Sequence, residues 1–192
     1  IRRVPLLVLT HFHADHVGGL AGVLSRTDVG TAYVTPVRDP AEVAGRTLDQ
    51  LRAAGVPVHE TGAGERVRVG DVTVEVLGPG PHPVVGGSPA NNASVVLDVQ
   101  VRGTRLLLTG DLEPEGARPV RDLVGGRDYD VLKVAHHGSA AQDEQLVRDV
   151  RAEVALIGVG ADNTFGHPAP SALTLLRESG ALVLRTDTDG DV

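Results

Sequence analysis

The sequence predicts an α/β fold on a mixed sheet, and three features predict it. An apolar run of strand length opens the chain, two pairs of segments read as hairpins around Gly-containing turns, and strands then alternate with helical stretches as in parallel crossovers. Val4–Thr10 is apolar almost throughout, the pattern of a strand buried on both faces. His11–Gly19 follows as a polar loop, Leu20–Leu24 as a short helix and Thr31–Val34 as a strand. Pro40–Ala54 reads as a helix, with Pro at its start and Gly55 just past its end, and Val56–His59 as a strand. Arg66–Val69 and Val72–Leu77 form a hairpin around Gly70-Asp71, and Ser94–Val101 and Thr104–Thr109 a second around Arg102-Gly103. Helices at Glu113–Val124, Ala141–Val150 and Ser171–Glu178 alternate with strands at Val131–Ala135, Val154–Val159 and Leu182–Leu184.

Composition narrows the function classes. The 192 residues suit one domain, spanning 1–192. No apolar run approaches the ~20 residues of a membrane-spanning helix, so independent membrane insertion of this segment is not expected. Ile1-Arg2-Arg3 leads straight into a strand and carries no cleavage-site pattern. With no cysteine, disulfides, thiolate metal sites and Cys nucleophiles are excluded together. A net charge of −7 argues against a generally basic nucleic-acid binder, and 2% aromatics leave few stacking platforms for single strands.

The chemistry gathers after strands. In Thr10-His11-Phe12-His13-Ala14-Asp15-His16, residues two apart leaving a strand point the same way, so His11 and His13 can grip one ion. Asp15 and His16, beyond the turn, can reach a second position. Such a string arises by chance on the order of 10⁻³ times in a chain of this composition, which favours a metal site over a polar loop with unrelated histidines. Imidazole and carboxylate without sulfur suit zinc, iron or manganese. Asp111 follows the apolar run Leu106–Leu108 at a strand end, where ligands collect in α/β sheets, although Gly-Asp alone is an ordinary turn. His136 and His137 end another strand. Adjacent strand residues face opposite sides, so one is expected to bind metal and the other to support it or face substrate. His167 closes Asn163-Thr164-Phe165-Gly166-His167-Pro168, where it reads as a site residue or as a stiffened pre-proline residue. Lys133, the sole lysine, reads as a phosphate contact or as a strand lysine reaching solvent. His59 and His82 read as surface or structural residues.

The His11–His16 string, Thr109-Gly110-Asp111 and His136/His137 together resemble the metallo-β-lactamase superfamily, whose fold is an αββα sandwich. Within it, Asn91-Asn92-Ala93-Ser94-Val95-Val96-Leu97, Leu108–Asp111, Leu132–Ser139, Asn163…Gly166-His167-Pro168 and Arg185-Thr186-Asp187…Gly190 are similar to the C-terminal hydrolase domain of ComEC-type competence proteins. That resemblance implies two divalent ions, zinc or manganese, held by His11, His13, Asp15, His16, Asp111, His136 and His137. Asp15, Lys133 and His167 are then the catalytic candidates, and Asn92, Ser94, Ser139 and His167 the substrate contacts. It further implies a nuclease that degrades one DNA strand during transformation. Its partners would be single- or double-stranded DNA and a membrane channel domain of the same polypeptide, with this domain on the outer face of the cytoplasmic membrane.

Three departures qualify the resemblance. The strands that open family domains are absent, and the close at Asp191-Val192 is equally abrupt. A fragment is therefore expected, lacking N-terminal and last strands and prone to pair or aggregate through Val4–Thr10. Asn91 or Asn92 stands near the slot of a further His ligand, leaving the first metal position short of one nitrogen. His13 replaces an Asp of many ComEC-like domains, which brings this chain nearer to active hydrolases. Two other functions stay open: a stand-alone, cytoplasmic hydrolase of a thioester, lactone or small phosphodiester, and a non-catalytic metal-binding domain of a membrane assembly.

Overall fold

The computed structural model describes residues 2–190, so the expectations about Ile1 and about Asp191-Val192 lie outside the described residues. The first third runs β1 (Arg3–Leu9), α1 (Ala14–Val17), α2 (Leu20–Arg26), β2 (Asp28–Val34), α3 (Ala41–Ala53) and β3 (Val58–Glu60). β4 (Arg66–Val69), β5 (Val72–Gly78), α4 (Pro89–Asn92), β6 (Val96–Val101) and β7 (Thr104–Leu108) follow. The rest alternates: α5 (Pro114–Val124), β8 (Val131–Lys133), α6 (Glu144–Val150), β9 (Val154–Ile157), α7 (Pro170–Glu178), β10 (Leu182–Arg185) and α8 (Thr186–Asp189).

Two sheets stack between helices. β1, β2 and β3 form a parallel sheet, and a larger mixed sheet has the order β10-β9-β8-β7-β6-β5-β4. Its β4–β7 half is antiparallel, as the two hairpins require, and its β7–β10 half is parallel through crossover helices. Strand alternation sorts the core into three layers. Leu7 and Leu9 of β1 pack with Leu20 and Leu51 of α2 and α3, while Val8 between them faces Val74, Val76 and Leu97 of the larger sheet. On the far side, Leu107, Leu132 and Ile157 meet Val120, Leu146 and Leu176 of α5, α6 and α7. This is the expected αββα sandwich.

Several expectations need correction. β1 is covered on both faces but is an edge strand and not a central one: among the described residues it pairs with β2 alone, and only Leu9 is fully buried. The polar loop after it contains α1, and α4 and α8 are short helices that the apolar pattern does not announce. α6 starts at Glu144 rather than Ala141, because the Asp143 carboxylate accepts the Leu146 N–H at 2.7 Å and fixes the helix start there. The strand expected to reach Ala135 ends at Lys133, and the chain enters a left-handed turn at His136. No helix among the described residues is long and apolar enough to cross a membrane.

Candidate metal centre

The site forms where β1, β7, β8 and β9 all end on one rim, the carboxyl edge at which α/β sheets collect ligands. Thr10 O accepts the Val95 N–H at 2.9 Å, tying the His11–His16 segment to the larger sheet. Thr109 Oγ1 donates to Lys133 O at 2.7 Å, holding the ends of β7 and β8 together. Gly110 sits at φ +56°, and a Cβ there would meet the Ser94 Cβ at 2.7 Å, so the turn that delivers Asp111 has room for glycine alone.

Asp15, His16, Asp111 and His137 each aim one donor atom at a common point, all within 4.8 Å of one another. His16 Nε2 lies 3.2 Å from both Asp111 Oδ2 and His137 Nε2. His137 Nε2 is 3.2 Å from Asp15 Oδ2 and 3.4 Å from Asp111 Oδ2. Four donors around a tetrahedral ion with bonds of about 2.0–2.2 Å are separated by roughly 3.3–3.6 Å, so the set fits a divalent cation. His137 Nδ1 faces Gly158 O at 2.7 Å, the outer contact that turns Nε2 inward.

His11 is fully buried beside this group, with Nε2 4.0 Å from Asp111 Oδ2. Its Nε2 and Asp111 Oδ1 are both buried without a hydrogen-bond partner, the state expected of atoms shaped for an ion. Thr10 Oγ1 and Ser94 Oγ stand 3.2 and 3.4 Å from His11 Nδ1. A proton on Nδ1 therefore leaves the Nε2 lone pair facing Asp111. His13 lies against His11, ring centroids 4.7 Å apart, outside the four-donor group.

Electrostatics suits a cation as well. Burial, reinforced by His16, lowers the His11 pKa to about 3, so its imidazole is neutral and free to ligate. Burial pushes the Asp111 carboxyl up, but bonds from His137 and His16 and the Lys133 charge outweigh it and hold Asp111 well below the usual carboxylate range. The Asp111 contact raises His137 against the opposing effect of burial. Burial lowers Lys133, with Asp111 and Asp15 opposing. Lys133 Nζ donates to Gly110 O at 3.0 Å and lies 3.8 Å from Asp111 Oδ1. His167 is lowered by burial first and then by its His136 and His137 neighbours.

A cleft of about 680 Å³ opens over the four-donor group, and Asp15, His16, Lys133, His137 and His167 line it. Four of the expected site residues lie away from the donor atoms or the cleft. His136 does not join the donor group: its Nδ1 points to Glu113 Oε1 at 3.7 Å and its ring toward His167. The reason is that His136 and His137 are not strand residues but successive left-handed ones, at φ 47° and 52°. Asn92 does not line this cleft, and its buried amide accepts the Glu113 and Gly116 N–H groups and donates to Gly86 O. Ser94, with no exposed surface, accepts the Asp111 N–H at 3.0 Å and supports the centre from behind. Ser139 is buried, its N–H closing on His136 O at 2.8 Å, and does not line the cleft.

Sequence reasoning passed over Glu113, which accepts from Asn91 Nδ2 and the Ser88 N–H at 2.8 and 2.7 Å, fastening α4 under the site. The nearby Asp111 was its one sequence signal. Thr10 and the Gly158 carbonyl carried none.

An αββα domain with a cluster of donors fit for a metal ion is the class that fold and site define. Residues 1–159 match the metallo-beta-lactamase superfamily, and the chain belongs to that family. It is 33% identical, over its whole length, to 24% of ComE operon protein 3 of Bacillus subtilis (strain 168). It is 30% identical to competence protein ComA of Neisseria gonorrhoeae, covering 99% of this chain and 25% of that protein. It is 29% identical to recombination protein 2 of Haemophilus influenzae, covering 97% of this chain and 21% of that protein. The chain thus spans about a quarter of the length of the curated relatives it matches. Among solved structures, the diiron β-hydroxylase CmlA of Streptomyces venezuelae shares the fold at TM-score 0.68 and 17% identity, over 96% of this chain and 44% of that one. Zn²⁺-bound PqqB of Methylobacterium extorquens does so at TM-score 0.61 and 15% identity, over 94% and 71%. The chain is a hydrolase-type domain of this superfamily, related to competence proteins.

Proposed function

We propose that the chain is a divalent-metal-dependent phosphodiesterase, the nuclease domain of a competence-type protein that degrades one DNA strand as the other is taken up. The observation carrying this reading is the convergence of Asp15, His16, Asp111 and His137 beside the sole lysine, in a chain whose matched relatives are competence proteins. Two ions, zinc or manganese, are assigned: one to His11, His13 and Asp111, the other to Asp15, His16, His137 and Asp111. When bound, they supply Lewis acidity, lowering the pKa of water toward ~7 and offsetting charge on a phosphoryl group. The reading also assigns as partners DNA and a channel domain of the same polypeptide, and as location the outer face of the cytoplasmic membrane.

The chain's own groups do the rest. Asp15, exposed in the cleft, orients the attacking water through its carboxylate. His167, neutral near pH 7, donates a ring N–H to a phosphate oxygen. Lys133, whose ammonium is made easier to deprotonate by burial, hands its proton to the leaving oxygen.

The test is direct. The chain loaded with manganese or zinc is expected to cut DNA, and His13→Ala to abolish cutting while the thermal melt is retained. The pair His11→Ala with Asp111→Ala should lose metal altogether. Turnover of a thioester or lactone far faster than any phosphodiester would overturn the nuclease reading, and full metal occupancy without turnover of any ester would reduce the domain to a binding module.

A further inference from the structure

The proposed chemistry leaves one feature of the cleft wall unused. Phe165 is 83% exposed, in a chain with two Phe and two Tyr. It lines the same cleft as Asp15, His16, Lys133 and His137. Its ring lies nearly parallel to that of His167, with an interplanar angle of 19° and centroids 6.3 Å apart. The loop that presents it is braced: Asn163 Oδ1 accepts the Phe165 N–H at 2.9 Å, while Asn163 Nδ2 donates to His167 O. A large apolar ring is thus held open to water by a short, hydrogen-bonded loop at the lip of a cation-binding cleft.

A phosphodiester drawn to the donor group must lay one of its flanking groups along this wall. The flanking group that matches a fixed, flat, apolar face is a nucleobase, since every base has a π-face and stacks without regard to sequence. A base inside a duplex has its faces covered by its neighbours, so the partner of Phe165 has to be unpaired. We propose that Phe165 is a stacking platform for an unpaired nucleobase next to the phosphate held at the donor group, so that the substrate is single-stranded or frayed nucleic acid. The position of that phosphate rests on the phosphodiesterase reading; the stacking itself does not require turnover. The platform selects strand state and not sequence. His167, nearly parallel to Phe165, lines the same cleft.

The test uses the chain loaded with manganese or zinc and a phosphorothioate-linked single strand carrying one 2-aminopurine, whose fluorescence falls on stacking. Wild-type protein should quench it on binding. Phe165→Ala should weaken binding roughly 5- to 150-fold, the range that base–aromatic stacking spans. Phe165→Trp should keep the affinity, and Phe165→Leu, apolar without a ring, should not restore it. An exposed ring makes all three variants safe for folding, and an unchanged thermal melt checks this. The proposal is overturned if Phe165→Ala or Phe165→Leu binds like wild type, or if a strand abasic at the probe position binds as tightly as one with the base. The two readings fail separately. Quenching that depends on Phe165 without any DNA cleavage supports the platform and sinks the nuclease. Cleavage of single strands that is indifferent to Phe165→Ala does the reverse.

Discussion

Ser94→Ala separates the role read from the sequence from the one the structure assigns. Ser94 has no exposed surface, and its Oγ accepts the Asp111 N–H at 3.0 Å while standing 3.4 Å from His11 Nδ1. Alanine keeps the Cβ that packs against Gly110 and removes the hydroxyl alone. The Asp111 N–H is then left buried without an acceptor, at a cost of about 1–3 kcal/mol in stability. His11 keeps Thr10 Oγ1 as an Nδ1 neighbour but loses the second hydroxyl that fixes its ring. Loss of such outer contacts costs roughly 10- to 100-fold in metal affinity. Urea unfolding of the metal-free chain should show the stability loss, and chelator competition at neutral pH the weakened affinity, with KM for a DNA substrate nearly unchanged. An unaltered metal affinity together with a raised KM would refute this reasoning and return Ser94 to the substrate.

His137→Ala should remove an ion per chain in elemental analysis, whereas His136→Ala should leave metal content intact; equal losses from both would contradict the separation of the two side chains. On β6 of the larger sheet, Asp98 is 1% exposed and bonded by Arg105, Arg127 and Tyr129. Burial pushes its carboxyl up, but those bonds outweigh it and the net shift is downward. A lowered folded pKa means that the network's stabilisation is complete above the unfolded value of about 3.9 and is lost as pH falls through the folded one. Asp98→Asn should cost about 3–5 kcal/mol at neutral pH and flatten the acid limb of the stability curve without changing metal content. A variant as acid-sensitive as wild type would show that other carboxylates govern acid unfolding.

Much of the site was legible because its residues follow strand ends. His11 and His16 sit where an apolar run stops, and Asp111 directly follows another, so hydrophobic periodicity alone delivered them to one rim. The hairpins around Gly70 and Gly103 were legible for the same local reason: turn chemistry is written into two residues. What the sequence hid is long-range or backbone in origin. Ser94 meets Asp111 and His11 only after two sheets stack, and Asn92 serves α5 across 21 residues of chain. The Gly158 carbonyl that orients His137 has no side chain to announce it. His136 misled because the period-two rule was applied beyond Lys133, where the strand had already ended.

That misreading exposes how the site is built. His136, His137 and Gly138 are consecutive left-handed residues, at φ 47°, 52° and 75°. For the two histidines the conformation costs about 1–2 kcal/mol each, while glycine adopts it freely. A Cβ at Gly138 would also meet the Pro168 Cβ at 2.7 Å, so the turn packs directly on the loop that carries His167. The strain is held by backbone bonds: His136 N–H to Gly110 O at 3.2 Å, Ser139 N–H to His136 O at 2.8 Å and Ala169 N–H to Gly138 O at 2.7 Å. The first and the last run to the segments bearing Asp111 and His167, and the middle one closes the turn on itself. The turn therefore cannot relax to an extended strand without pulling Asp111 and His167 out of place. In an extended strand one histidine would have faced away from the cleft. The left-handed turn sends His137 into the donor group and His136 toward Glu113 and His167. The backbone strain at this position is thus the structural means by which two adjacent histidines take different surroundings, one in the donor group and one beside Glu113 and His167.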